Sequence, residues 1–273
     1  MKLPIISVII TTKDEQKNIA SFLTNIDKKI ELNNKINTEL ESMAKLIYDY
    51  WFVQFDFPDE NGKPYKSSGG KMVWNEELKR EIPEGWEIGN LPDIANFTNG
   101  IACQKYRSKS DIYLPVIKIR EFQDGITKNS EKATIYIPEK VKVFDGDVLF
   151  SWSASLEVIL WAGGNGALNQ HIFKVTSKNG YPKTFYYFQL LNYLNHFKMM
   201  AALRTTTMGH ITLDHLNQSR IVMPKKIFVK KLDNIISPIF EKIVSNKKQN
   251  LELEKLRDWL LPMLMNGQVT VGD

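Results

Sequence analysis

The chain has 273 residues, 43% of them hydrophobic, which is enough to bury one good core with an appendage, or two modest domains. No apolar run reaches the roughly 20 residues of a membrane-spanning helix, so we predict no membrane partner. The single cysteine, Cys103, excludes a disulfide framework and suits a reducing cytoplasm, where we expect the protein. A net charge of +5 permits nucleic-acid binding without being diagnostic of it.

The first region predicted from the sequence covers residues 1–54. Its apolar start, residues 1–12, lacks the basic segment and cleavage site of a signal peptide, and we predict a strand there. Asp14 and Glu15 follow, where negative charge stabilises a helix N-terminus. Residues 16–51 contain no Pro or Gly, which predicts one long helix.

This helix carries a seam whose steps alternate between four and three residues, the pattern with which one helix packs against another. Its members are Ile19, Leu23, Ile26, Ile30, Asn33, Asn37, Leu40, Ala44 and Ile47. The same steps return near the other end of the chain in Leu232, Ile236, Ile239, Ile243, Asn246, Asn250 and Leu253. The two stretches align with their asparagines in register, which indicates an internal repeat.

The asparagines in the middle of the two seams predict a specific pairing. A buried amide costs stability but selects a partner, because only another polar group opposite can satisfy it. We therefore predict antiparallel helices in which Asn33 meets Asn250 and Asn37 meets Asn246. The alternative is two unrelated amphipathic helices that pack on separate cores.

Residues 55–85 are rich in Gly, Pro, Ser and Lys, which predicts an extended, exposed linker. Trp74 and Trp86 are the side chains expected to hold this linker against a surface.

Residues 86–224 change to short alternating runs separated by turns, which predict strands. The predicted strands cover residues 115–121, 141–150, 157–162, 171–175 and 221–224. Aromatic and leucine residues at helical spacing predict a helix over residues 183–203. Residues 163–166 contain three glycines, but a dinucleotide loop would need a further one, so we predict a hairpin turn there.

The last region, residues 225–273, holds the second long helix, predicted over residues 228–261, with Gly267 ending the helical part. Together the four regions predict an α+β fold. A mixed α/β domain is flanked by two long helices that form an antiparallel coiled coil.

Three stretches resemble a known family: residues 26–87, the sequence DGDVLFS at residues 145–151, and the sequence NQH at residues 169–171. They resemble the specificity subunits of type I restriction-modification systems. The resemblance implies that the mixed domain is a target recognition domain reading one half of a split DNA site. The helices would act as a ruler and as the dock for methyltransferase subunits. A complete subunit of this family has two recognition domains, so we predict a half-length form with one.

The sequence contains neither an Asn-Pro-Pro-Tyr methyltransferase motif nor a P-loop, so we predict a subunit without catalysis of its own. The partners implied by the resemblance are double-stranded DNA, methyltransferase (modification) subunits and a restriction/translocase subunit. Those subunits would use S-adenosylmethionine, Mg²⁺ and ATP to methylate adenine and to cleave, and this chain would hold no cofactor. The alternatives are a stand-alone methyltransferase or nuclease, and a non-functional, recombination-reservoir half-subunit that acts only as a coiled-coil scaffold.

A metal site is not expected. His210 and His215 lack the helical spacing of a zinc pair, and Cys103 has no partner cysteine. Asp59 and Glu77 imitate the spacing of a metal-dependent nuclease, but both lie in the predicted linker.

Side chains that can reach DNA bases or phosphates form three groups. Lys118 and Arg120 share a face of a predicted strand, after Lys105 and Arg107 in the preceding loop. The amides of Asn169 and Gln170 could pair with adenine, or the motif could shape a hairpin. A polar loop after the predicted helix adds Arg204, Thr205, Thr206, Thr207 and His210. For each residue the plain alternative is a solvated surface group.

The far end of the predicted helical hairpin carries apolar side chains that need cover: Trp259, Leu260, Leu261, Met263 and Leu264. We therefore expect a homodimer, or a second half-subunit. Two identical copies would read an interrupted palindrome, because a two-fold axis repeats the same half-site in inverted orientation.

Overall fold

A computed structural model describes residues 12–202 and 210–271. The predicted N-terminal strand lies outside these residues except for Thr12, and so do Arg204, Thr205, Thr206 and Thr207. The chain divides into two compact units, one formed by residues 1–39 and 245–273 and the other by residues 40–244. Among the described residues, no helix is both long enough and apolar enough to cross a bilayer.

Two helices of 40 residues each, α1 Lys13–Phe52 and α6 Lys226–Met265, are the longest elements. A 40-residue helix is about 60 Å long. The first turn of α1 is capped reciprocally, because the backbone N–H of Thr12 donates to the Glu15 carboxylate and the backbone N–H of Glu15 donates to Thr12 Oγ1. All described seam residues of both helices are buried or half-buried, as their spacing predicts.

The second long helix extends beyond residues 228–261 at both ends, so the predicted bounds were too short. Pro262 does not end it. A proline loses its own N–H and its ring crowds the carbonyl four residues earlier, but the Pro262 carbonyl still accepts a hydrogen bond of 3.1 Å from the backbone N–H of Asn266. Gly267, at φ 65°, lies in the left-handed region that follows many helix ends.

The unit formed by residues 40–244 is a mixed α/β structure. Its strands are β1 Met72–Asn75, β2 Arg80–Pro83, β3 Glu87–Asn90, β4 Ala95–Asn99, β5 Leu114–Ile117, β6 Lys132–Ala133, β7 Lys142–Val143, β8 Val148–Ser151, β9 Glu157–Leu160, β10 Gly166–Leu168, β11 Ile172–Ser177 and β12 Arg220–Met223. Its shorter helices are α2 Leu91–Ile94, α3 Ile119–Asp124, α4 Lys183–Ala202 and α5 Leu213–Asn217.

Two four-stranded sheets form the centre of this unit. One has the order β4-β11-β8-β9 and is antiparallel throughout. The other has the order β6-β5-β10-β7, and its β5 and β10 are parallel. The pairs β1-β2 and β12-β3 are separate antiparallel ribbons. Each four-stranded sheet contributes to its own hydrophobic cluster, and β8 and β11 supply residues to both clusters.

Three sequence predictions fail in this unit. Residues 115–121 are not one strand, because β5 ends at Ile117 and α3 begins at Ile119. The cause is Glu121, which is 1% exposed and whose carboxylate accepts the backbone N–H of Lys118 at 3.1 Å and the hydroxyl of Ser130 at 2.9 Å. Satisfying a buried carboxylate in this way requires a turn at Lys118.

Residues 163–166 are not a hairpin turn. They lead from β9 in one sheet to β10 in the other, and β9 and β10 do not pair. The permissive backbone of Gly164, at φ 84°, serves this change of sheet.

Residues 55–85 are not an extended linker. They contain the β1-β2 ribbon, and Phe55 and Phe57 are each 1% exposed. Phe57 stacks on Trp86 with ring centroids 4.8 Å apart, so burial of aromatic surface folds this segment despite its polar composition. Trp86 is buried as expected, but Trp74 is 54% exposed and donates its indole N–H to Glu76, two residues further along the chain.

Candidate nucleic-acid interface

Four buried asparagines join the two long helices within the unit formed by residues 1–39 and 245–273. Asn33 Nδ2 donates to Asn250 Oδ1 at 2.8 Å, and Asn250 Nδ2 donates to Asn34 Oδ1 at 2.8 Å. Asn246 Nδ2 donates to Asn37 Oδ1 at 2.9 Å. These hydrogen bonds confirm the predicted antiparallel register, and the alternative of two unrelated helices on separate cores is wrong.

The predicted DNA-contacting residues converge at one edge of the sheet β6-β5-β10-β7. Because β5 and β10 are parallel, with Ile117 opposite Leu168, the residues that follow these two strands emerge side by side. Lys118 follows β5 and Asn169 follows β10. The backbone N–H of Asn169 donates to the Ile117 carbonyl at 3.1 Å and ties the two strand ends together.

Asn169 shapes this edge from inside. It is 5% exposed, and its side-chain oxygen lies 3.4 Å from the backbone N–H of His171, which donates to it. A buried amide engaged with its own turn is not offered to a base, so the geometry favours the structural role over the adenine contact. Gln170 is half-buried and points its amide at the His171 ring, with 3.3 Å between the two nitrogens.

The basic residues at this edge are partly neutralised by two acids. Lys118 Nζ pairs with Glu131, which lowers the pKa of that carboxyl, and the charge of Arg107 lowers it further. Arg120 donates to Glu121 at 2.8 Å, and this hydrogen bond raises the pKa of the guanidinium. Lys105 is exposed in the 3₁₀ turn Cys103–Tyr106. Lys118 and Arg120 do not share a strand face, because α3 intervenes.

An aromatic group at the end of β8 was missed by the sequence reasoning. Trp152 is half-buried, and its ring centroid lies 5.5 Å from that of His171 and 6.1 Å from that of His210. Its indole N–H donates to Asn99 Oδ1 at 3.0 Å. A tryptophan directly after the sequence DGDVLFS was the available signal, because the end of a strand is where a side chain can reach a ligand.

The remaining candidate residues serve other purposes. Cys103 is buried, and burial raises the pKa of its thiol to about 11, which makes it a poor nucleophile. The ring of His215 accepts the backbone N–H of Thr212 at 2.9 Å at the start of α5. Within residues 12–202 and 210–271, no three His, Cys, Asp or Glu side chains come together as a metal site.

This edge combines cations with an amide and a half-buried aromatic group, the kinds of side chain that contact phosphates and base edges. The residues of the edge are Lys105, Arg107, Lys118, Arg120, Gln170, Trp152, His171 and His210, and we refer to them as the β5/β10 edge. Lys118 directly follows β5, Arg120 lies in α3 and Trp152 directly follows β8, so regular elements position these three side chains.

Comparisons with known proteins show which family has this sequence pattern and this fold. A model of the family described as "Type I restriction modification DNA specificity domain" matches residues 83–255. The crystal structure of the S subunit of a type I restriction-modification system from M. genitalium superimposes with a TM-score of 0.57 at 15% identity, covering 93% of this chain and 61% of that one. That likeness shows the fold alone.

Two relatives agree with the family model. The specificity subunit of the type I restriction enzyme MjaIX of Methanocaldococcus jannaschii is 28% identical over 274 residues, which cover 95% of this chain and 60% of that protein. The specificity subunit of the type I restriction enzyme HindI of Haemophilus influenzae is 25% identical over 330 residues, covering 97% and 69%. The chain thus spans about 60% of the length of the first relative. Because the family model matches more than half of it, this chain belongs to the type I restriction modification DNA specificity domain family.

Proposed function

We propose that this chain is a non-catalytic, sequence-specific DNA-recognition subunit of a type I restriction-modification system. It directs adenine methylation and restriction, both carried out by partner subunits. The observation that carries the proposal is the β5/β10 edge of a domain of this family, where Lys118 follows β5, Gln170 comes soon after β10, and Trp152 follows β8. Such an edge can bind phosphates through its cations and read bases through its amide and aromatic groups.

We propose that methyltransferase subunits dock on the two long helices and that a restriction/translocase subunit joins them. These partners use S-adenosylmethionine, Mg²⁺ and ATP. This chain selects the sequence of double-stranded DNA on which they act, in the cytoplasm. A catalytic role would need a nucleophile or a base of its own at the site. The cysteine next to the edge is buried with a raised pKa, which does not suit that role.

We further propose that two copies, or this chain and a second half-subunit, act together. Trp259 is 57% exposed and Leu261 is 43% exposed, and both lie near the end of α6. Leu264, by contrast, is 2% exposed and needs no further cover. Apolar side chains in this position favour association. Two identical copies would place the same edge on both halves of an interrupted palindrome.

The test is methylome sequencing of cells that express this chain with its cognate methyltransferase. The expected result is one methylated adenine motif that disappears when either subunit is omitted. The variant Trp152→Ala should weaken or alter the motif, and Trp74→Ala, which changes an exposed tryptophan away from the edge, should not. A motif that persists without this chain would refute recognition. Co-purification with the methyltransferase but no motif would indicate a scaffold.

Light scattering tests the association separately. Two copies predict about twice the monomer mass at micromolar concentration, together with a palindromic motif. A monomer with an asymmetric motif would contradict the homodimer and indicate a different second half-subunit.

A further inference from the structure

Two strands of the sheet β4-β11-β8-β9 end beside the β5/β10 edge. β4 ends at Asn99, which lies opposite Phe173 of β11. β8 ends one residue before Trp152, whose backbone N–H donates to the His171 carbonyl at 3.3 Å. Because β11 is antiparallel to both β4 and β8, the C-terminal ends of those two strands flank the start of β11. Asn99 therefore lies at the same sheet edge as Trp152 and His171.

The side chain of Asn99 is exposed, but a hydrogen bond fixes its orientation. The Trp152 indole N–H donates to Asn99 Oδ1 at 3.0 Å. An indole N–H is only a donor, so the amide turns its oxygen towards the indole and its NH₂ group elsewhere. No acceptor within residues 12–202 and 210–271 takes a hydrogen bond from Asn99 Nδ2. The free part of this amide is therefore a pair of N–H donors.

The surroundings of Asn99 hold this donor in place. Trp152 is half-buried, and its ring centroid lies 5.9 Å from that of Phe173 and 5.5 Å from that of His171. The backbone N–H of Gly100, the residue after Asn99, donates to the Ile172 carbonyl at 3.0 Å. A donor that is already ordered loses less conformational entropy on binding and discriminates more sharply between ligands.

A fixed N–H donor distinguishes two classes of base in the major groove. Guanine and thymine present the carbonyl oxygens O6 and O4 there, which accept hydrogen bonds. Adenine and cytosine present the amino groups N6 and N4 at the corresponding places, which donate them. An amide NH₂ facing an amino group leaves both groups without an acceptor once water is excluded, and that costs affinity.

Resting on the DNA-recognition function proposed above, we propose that Asn99 is a specificity-determining residue that contacts a keto base, guanine or thymine, at one position of the half-site. Trp152 positions the Asn99 amide for this contact. The competing role is purely structural, with Asn99 serving only as the acceptor for the indole. The two roles are separable, because a carboxylate can replace the amide oxygen as an acceptor but cannot replace the NH₂ donor.

The test uses the complex of this chain with its cognate methyltransferase and DNA duplexes that carry the wild-type motif. All four base pairs are placed in turn at each position of the half-site, and Kd is measured at low salt, where weak variants still bind. The quantity compared is the ratio of Kd for amino bases to Kd for keto bases, from which a uniform loss of affinity cancels. At one position, wild type should bind a keto base about five- to a hundredfold more tightly than either amino base.

Three variants test the donor and its positioning. Asn99→Asp keeps an acceptor for the indole and replaces the NH₂ group by an oxygen, so the preference at that position should reverse in favour of cytosine or adenine. Asn99→Ala removes both groups and should bring the ratio close to one. Trp152→Phe keeps a ring but removes the indole donor, so the amide is free to turn and the ratio should fall at the same position.

The matched control is Asn96→Asp, which adds the same charge to the same strand. The Asn96 side chain is exposed and donates to the Ser177 carbonyl at 3.0 Å. The added negative charge should weaken binding to all duplexes alike and leave every ratio unchanged.

The possible failures are distinct. Unchanged ratios in Asn99→Asp and Asn99→Ala, or a wild-type half-site with no keto preference at any position, overturn the role of Asn99 and leave DNA recognition standing. Loss of preference at several positions, or of all binding, in Asn99→Ala means that Asn99 only supports the fold of the edge, and it overturns the proposal too. A wild-type complex that distinguishes no bases at all contradicts the proposed function itself.

Discussion

Asn246 donates a 2.9 Å hydrogen bond to Asn37, and both side chains are buried in the seam between the two long helices. Replacing Asn37 alone by Leu leaves the Asn246 amide without this partner, which should cost about 1–3 kcal/mol of the free energy of unfolding. The double variant Asn37→Leu/Asn246→Leu should recover most of that loss or be more stable than wild type. It leaves neither member of this pair as an unpaired buried amide, and the two leucines can pack against each other.

Urea unfolding of the full chain measures this cycle, with Glu39→Leu, an exposed position on the same helix, as the control. If the double variant loses as much stability as Asn37→Leu and Asn246→Leu together, the hydrogen bond does not couple the two residues.

Glu131 restrains Lys118, and its removal should strengthen DNA binding. Glu131→Gln frees the ammonium and deletes a negative charge that repels phosphate, so affinity should rise at low salt for all sequences. Lys118→Gln should lower affinity and, if the contact is to a phosphate, reduce the salt slope by about 0.9. Fluorescence anisotropy at several salt concentrations measures both effects.

The control for this prediction is Lys255→Gln, which removes the same charge from an exposed site on α6 that is paired with Glu252. Equal losses in Lys118→Gln and Lys255→Gln would mean that net charge, and not the β5/β10 edge, governs binding.

Gly100 lies against the backbone of Leu168 and Asn169, at the start of the turn that carries Gln170 and His171. A Cβ at this position would lie 2.1 Å from the Asn169 carbonyl oxygen, a contact that only a backbone shift can relieve. Gly100→Ala should therefore destabilise the fold by at least about 2 kcal/mol and weaken DNA binding by displacing Gln170 and His171. Gly62→Ala, where no atom lies within 4 Å and only the positive φ is costly, should lose about 1 kcal/mol and bind DNA normally. Equal thermal midpoints for the two variants would contradict this account.

Cys103 should react only when the protein unfolds. Burial raises its pKa to about 11, whereas an unfolded thiol titrates at about 8.5. The neutral thiol is favoured in the fold, so its contribution to stability is complete below about pH 8.5 and is lost as the pH rises towards about 11. Native protein at pH 8 should label with a thiol reagent far more slowly than protein in urea. Fast labelling of the folded chain would show that the thiol is accessible.

The sequence alone was sufficient to predict the two long helices and their antiparallel register, although not the exact ends of the second helix. The seams repeat at helical spacing, and asparagines at matching positions of both copies leave one antiparallel pairing in which each buried amide meets another. The family resemblance at residues 26–87 and 145–151 likewise rests on local sequence; the family model confirms the family over residues 83–255, and the M. jannaschii relative covers 95% of the chain. The spacing of the apolar residues and the positions of the asparagines predict these features, because a helix is stabilised by contacts between residues close in sequence.

Only the tertiary structure showed the features that depend on contacts between residues far apart in sequence. Residues 115–121 alternate like a strand, but burial of Glu121 against Ser130 turns the chain after Ile117. Residues 55–85 have the composition of a linker, yet Phe57 packs on Trp86 and folds them. The β5/β10 edge exists because a parallel pair brings Lys118 beside Asn169, which are about 50 positions apart in sequence. Burial and strand pairing between distant residues are properties of the whole fold, and no local pattern encodes them.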